Sequence, residues 1–277
     1  MAAHESMLVY RGFRFLRFSA LLIAISITAY IIHDPLPRPY GGSWLGYTLG
    51  GVSALLVVWL MWFGIKKRKY GKGGLTKAWL SAHIYLGAAL VVTTTLHAGF
   101  QFSWNLHTFT YILCMLTIVS GLFGVYTYSR YPSLITSNRK GASSEDLLRR
   151  MTELDEEARM LTAGMPDRVT RVVNEAAEKT AIGGSVLTQL RANTKNSPAR
   201  KAFQQMTDLA GVATSEEAGK FAALVTVMGQ KAELVDRVAK DIRFKAIMEL
   251  WLYFHVPLAF GLLAALIAHV FVVFYMT

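Results

Sequence analysis

AWLSAHIYLGAALVVTTTLHAGF (Ala78–Phe100) and AIMELWLYFHVPLAFGLLAALIAHVFVVFY (Ala246–Tyr275) decide the reading of this chain. Each is predominantly apolar and long enough to cross a bilayer core, which takes about 20 helical residues. Each also carries two histidines at the same interval of fourteen positions: His83 and His97 in one, His255 and His269 in the other. At about 1.5 Å per residue that interval is roughly 21 Å, and fourteen steps of about 100° return to nearly the same face. Ionisable side chains inside a span are costly and mark function by default. Two such helices side by side would present facing imidazoles at two levels.

Working outward, the apolar stretches Phe18–Ile32, Trp44–Ile65 and His107–Tyr128 bring the expected spans to five. With 53% hydrophobic and 17% charged residues, the chain has a membrane protein's composition. The expected fold is all-α: a five-span transmembrane helical bundle with a helical cytoplasmic insert between spans four and five. The formal charge of +11 raises the question of nucleic acid. Its densest run, Lys66-Lys67-Arg68-Lys69, directly follows an apolar stretch, so a membrane-face role is expected and nucleic acid is not. Cys114 is the single cysteine, which excludes a disulfide, a thiolate zinc site or an iron–sulfur cluster within the chain. Arg11, Arg14 and Arg17 lead into an apolar run with no small-residue cleavage site before Pro35, so no cleaved signal peptide is expected.

Basic residues alternate between loops. They crowd the N-terminal segment, the loop Lys66–Lys77 and the segment Arg130–Lys140, while Asp34–Ser43 has one arginine and Gln101–Leu106 none. Positive-inside logic places the N-terminus in the cytoplasm and the C-terminus outside, as in a bacterial inner membrane. Spans three and five then run parallel, so His83 pairs with His255 near the inner face and His97 with His269 near the outer one.

Residues 129–244 are polar, with 19 basic and 15 acidic side chains between Arg130 and Lys245, a near balance. Pro132 is expected to break the helix there, followed by a loop from Ser137 to Ser144. Ser143 with Asp146 reads as a capping box before Leu147, Leu148, Met151, Leu154, Ala158 and Leu161 at helical spacing. Gly164-Met165-Pro166 ends that helix. A second, through Val169, Val172, Val173 and Ala176, should reach Gly183-Gly184, and a third should start after Ser197-Pro198. Thr214 with Glu217 caps a last helix, through Leu224, Met228, Leu234, Val238 and Ile242, that should continue into span five. The insert reads as a helical spacer or docking surface.

Two imidazoles per level suit the axial positions of two b-type haems, iron centres that move electrons once both axial sites are filled. Gly87 and Ala259, four residues after the inner histidines, would let a flat macrocycle approach the backbone, and Leu90 with Leu262 would fill the space between levels. A path for transition-metal ions is the rival reading, but Glu249 is the only acid within the five spans. His107, opening span four, is a further cofactor-side candidate, facing a haem propionate, a substrate or water. His33 reads as interfacial, and His4 has no assigned role. Lys77, Arg243 and Lys245 lie near the inner level and suit propionates or topology alike. Pro257 frees a carbonyl and should bend span five. Gly121 and Gly124 read as helix-packing contacts.

At His83, His97, His255 and His269 the chain resembles the ferric reductase-like transmembrane cytochromes, the group that includes the NADPH oxidases. It is more loosely similar to cytochrome b561 proteins and to b-type subunits of respiratory complexes. The resemblance covers the roughly 150 residues of the membrane part. It implies that these four histidines are axial ligands to two stacked haems, and that electrons cross the membrane. The oxidases carry a flavin- and nicotinamide-binding domain after the last span, whereas this chain stops at Thr277 and instead has a large insert. An electron-transfer subunit is therefore expected rather than a self-contained oxidoreductase.

The expected organisation is residues 1–128 as spans one to four, 129–244 as the insert and 245–277 as span five. The expected function is a dihaem cytochrome b within a larger complex, with two haem b groups. Its redox partners would be a flavoprotein, an iron–sulfur protein, a c-type cytochrome or quinone. The alternatives are a quinol-oxidising or metal-reducing enzyme, for which Asn105 and His107 would be the outer pocket residues, and a haem-handling or scaffold protein.

Overall fold

A computed structural model describes residues 8–33, 41–69, 74–180, 189–190, 197–214 and 217–275. All the regular structure among them is helical: α1 (Arg14–Ile32), α2 (Trp44–Lys69), α3 (Gly74–Ala98), α4 (Leu106–Arg139), α5 (Ser144–Leu161), α6 (Asp167–Lys179), α7 (Pro198–Ala210) and α8 (Ala218–Tyr275). Five of these helices, α1, α2, α3, α4 and α8, are long and apolar enough to cross a membrane. The chain divides into two compact units, Met1–Val125 with Trp251–Thr277, and Tyr126–Leu250. His4 and Gly183-Gly184 lie outside the described residues.

The membrane unit is packed the inverted way that lipid favours. In α1 the buried side chains are Ser19 and Ser26, while Phe18, Leu21, Ile25 and Ile32 are exposed. Small polar residues face neighbouring helices, where close approach and hydrogen bonds hold them, and apolar residues face outward. Ser19 Oγ donates to the Tyr85 carbonyl of α3 at 2.6 Å. Ser53 Oγ of α2 donates to Thr93 Oγ1 of α3 at 2.8 Å, both buried. Between these contacts lies an apolar cluster of Val57, Leu60, Leu86, Leu90, Cys114 and Leu262, drawn from α2, α3, α4 and α8. His33 follows α1, its ring 5.0 Å from that of Trp44 and nearly perpendicular to it.

The second unit is a soluble-type helical bundle. The Ser143–Asp146 capping box forms as the sequence indicates: each side chain satisfies the other's backbone N–H. The Ser143 hydroxyl and amide donate to Asp146 and hold its carboxyl below the usual range. Ser197 caps α7, with Pro198 in its first turn, where a missing N–H costs nothing. Thr214 Oγ1 meets the Glu217 carboxylate at 3.0 Å just before α8, which runs unbroken to Tyr275. The core joins Leu147, Met151 and Leu154 of α5, Val169 and Val173 of α6, Met206 of α7, and Leu224 and Met228 of α8. Leu148 is not part of it and is exposed.

Two expectations fail in this unit. Pro132 does not end α4, which continues to Arg139, so the connecting loop starts only at Lys140. An interior proline loses one backbone bond and crowds the preceding turn. Here tertiary contacts to α8 offset that cost: Asn138 donates to the Arg237 carbonyl at 2.8 Å, Arg139 pairs with buried Asp241, and Tyr131 lies 5.0 Å from Phe244. The other failure is the end of α6, which stops at Lys179 rather than at Gly183-Gly184. Pro257 lies inside α8 as Pro132 lies inside α4.

Candidate functional site: two histidine levels in the membrane unit

His83 and His97 stand on α3, His255 and His269 on α8. The structure brings the His97 and His269 rings together, centre to centre 6.0 Å and 78° apart in plane. It also brings His83 and His255 within electrostatic range of each other. The first histidine of α3 thus meets the first of the α8 pair, and the second meets the second, so the two helices run the same way past this site.

His97, His255 and His269 are each held through Nδ1. His97 Nδ1 lies 2.7 Å from the Gly46 carbonyl of α2. A carbonyl only accepts, so Nδ1 carries the proton and Nε2 keeps its lone pair. The approach needs a gap one helical turn on, at Gly50. A Cβ there would sit 2.7 Å from His97 Cε1 and 2.9 Å from Nδ1, closer than real Cβ atoms come. Gly46 and Gly50 therefore act together, one supplying the acceptor and the other the room to reach it.

His255 Nδ1 lies 2.7 Å from Ser120 Oγ of α4, whose own proton goes to the Thr117 carbonyl at 2.7 Å. The serine oxygen must then accept, which again puts the imidazole proton on Nδ1 and frees Nε2. Trp251 stacks on His255 at 5.0 Å and donates to the Ser120 carbonyl at 2.6 Å. Gly124 lets that indole in, since a Cβ would fall 2.2 Å from its Cζ2. Gly121 meets the His255 ring itself, with a Cβ position 3.5 Å from Cε1. The His83 ring hydrogen-bonds the Leu60 backbone of α2. At the other end of α8, His269 Nδ1 lies 2.8 Å from His107 Nδ1 of α4.

Leu90 and Leu262 are both buried in the cluster between the levels. A Cβ at Gly87 would meet nothing within 4 Å, so there is open space one turn after His83. Ala259 is half-buried at the corresponding place on α8. Asn105 is used locally, its Oδ1 accepting from the Thr108 N–H at 2.9 Å to cap α4. Lys77 is exposed in the membrane unit, and Arg243 and Lys245 are exposed in the helical unit.

The residues that fix the rings (Gly46, Gly50, Ser120 and Trp251) were not singled out from the sequence. Gly46 and Gly50 did leave a signal, small residues four apart in a span. Ser120 and Trp251 left none, because their role depends on how α4 and α8 are rotated against each other.

Two imidazoles on opposite sides of one metal ion, each bonded at about 2 Å, have ring centres about 6 Å apart. The His97–His269 separation of 6.0 Å fits that span. Among the described residues no group of three or more His, Cys, Asp or Glu could hold a bare metal ion. A facing pair of imidazoles such as His97 and His269 would suit a group that brings its own equatorial ligands. Comparison with known proteins adds no family name: no family model, curated protein or solved structure matches this chain.

Proposed function

We propose that this chain is a dihaem cytochrome b, a subunit that conducts electrons across the bacterial inner membrane between protein redox partners or from quinol. The observation that carries the reading is the pair of histidine levels on α3 and α8, with the Nδ1 atoms of His97 and His255 each donating to a neighbouring helix. Metal-bound histidines almost always spend their second ring nitrogen in this way, which fixes tautomer and orientation. His83 with His255 would hold one haem b and His97 with His269 the other. Bound there, the haems supply one-electron transfer at irons closed to other ligands. The protein's tasks are to hold the rings, to keep the levels apart through Leu90 and Leu262, and to exclude water. Positive charge on the N-terminal, Lys66–Lys77 and Arg130–Lys140 segments favours the cytoplasmic side for the His83 level and for the helical unit, where a flavoprotein or iron–sulfur protein would dock.

Reconstitution into sealed vesicles tests the conduction. With ferricyanide trapped inside and an impermeant reductant outside, the protein should reduce the trapped acceptor well above protein-free vesicles. Equal rates in the two would end the proposal.

Gly50→Ala provides a local test. Its new methyl group must push the His97 ring off the Gly46 carbonyl. A lost supporting bond of this kind weakens metal-group binding by on the order of 10–100-fold. Haem at the His97 level should therefore be depleted on purification, while Gly51→Ala, where a Cβ meets nothing, should leave the spectrum unchanged. Identical spectra for both variants would show that His97 does not depend on this contact.

A further inference from the structure

His107 has no role in ligation by helical spacing, yet its ring hydrogen-bonds that of His269. The two Nδ1 atoms are 2.8 Å apart, and the rings meet at 4.6 Å and 90°. Only one proton can lie between two ring nitrogens. If His269 uses Nε2 to hold iron, its Nδ1 must carry that proton and His107 Nδ1 must accept it. The proton of neutral His107 then sits on its own Nε2, facing away from the contact.

We infer that His107 is the positioning residue of the His97–His269 haem, fixing the His269 tautomer and making it a more electron-rich ligand than His97 or His255. This rests on the dihaem reading above. The distinction lies in the acceptor. His97 donates to a backbone carbonyl and His255 to a hydroxyl. His269 alone leans on an imidazole nitrogen, a stronger base than either oxygen. Donation of the second N–H raises ligand basicity, and a stronger acceptor raises it further. A more basic ligand favours ferric over ferrous iron, so this contact lowers the potential of its haem. The second shell of His269 therefore sets the energy of one end of the electron path, and does so from a residue 162 positions away.

The test is a redox titration of the full chain in detergent, following both haems by absorbance, for wild type, His107→Leu and His107→Gln. Leucine removes the acceptor, so the haem that is missing in His269→Ala should shift to higher potential, while the other keeps its value. Glutamine restores an acceptor oxygen, so its shift should be smaller. Two haems with unchanged potentials in His107→Leu would overturn the inference and leave the dihaem reading standing. Depletion of that haem in His107→Leu with rescue in His107→Gln would mark the same supporting contact, whereas loss in both, unrescued by the glutamine oxygen, would overturn the inference by making His107 a ligand. A wild-type chain that binds no haem would overturn the reading itself, and this inference with it.

Discussion

His269→Ala should halve the haem content of the purified chain and leave the remaining haem low-spin and six-coordinate. The expectation follows from the separation of the levels: fourteen helical residues are about 21 Å, and the buried Leu90–Leu262 cluster lies between. Changes at distant sites with no shared partners act independently. The His83 level, held by Leu60 on one side and by Ser120 with Trp251 on the other, shares none of these contacts with His269. A variant that keeps both haems would remove His269 from the ligand set. A variant that loses both would show that the levels fold as one piece.

The second large effect lies in the helical unit, at a side chain with no part in electron transfer. Lys231 of α8 is fully buried, ion-paired with Asp155 of α5, and it donates to the Ala176 carbonyl of α6 at 3.2 Å. That carbonyl lies in the last turn of α6 and also accepts from the Thr180 hydroxyl, so the ammonium is anchored at the end of that helix. One ammonium thus ties three helices together. Removing one member of a buried pair leaves an uncompensated charge and costs about 3–5 kcal/mol, whereas replacing the charge by an apolar group of similar volume is often nearly neutral. Asp155→Ala should therefore make the unit Tyr126–Leu250 sensitive to limited proteolysis in the full chain, and Lys231→Met should leave it resistant. Equal resistance of Asp155→Ala and wild type would show that the charge finds water instead. Both variants should keep the haem spectrum, because Lys231 and Asp155 belong to the unit Tyr126–Leu250 and the four histidines to the other.

Much of this architecture could be read from the amino-acid order, for definite reasons. Spans are legible because lipid demands unbroken apolar length, and the histidine register is legible because helical period is fixed. The capping box at Ser143 and the Ser197-Pro198 start are local chemistry, complete within a few residues. Pro132 reads as a helix end because its local cost is real, yet that cost is offset by partners about a hundred residues away, Arg237 and Asp241. The Gly50 gap, the Ser120 hydroxyl and the His107–His269 bond depend on helix rotation. A span that is apolar all round carries no amphipathic signal to reveal that rotation. Lys231 is the instructive intermediate. It sits three residues from both Met228 and Leu234, on the apolar stripe of α8, so its burial was implied by the same periodicity that marked its neighbours.

Haem stoichiometry and iron coordination of the purified full-length chain test the central proposition most directly. Reduced-minus-oxidised spectra with quantified haem and protein, read beside low-temperature electron paramagnetic resonance, should give two b-type haems per chain, both low-spin with two imidazole ligands. A well-folded chain carrying one haem or none, or irons with an open coordination site, would contradict the account.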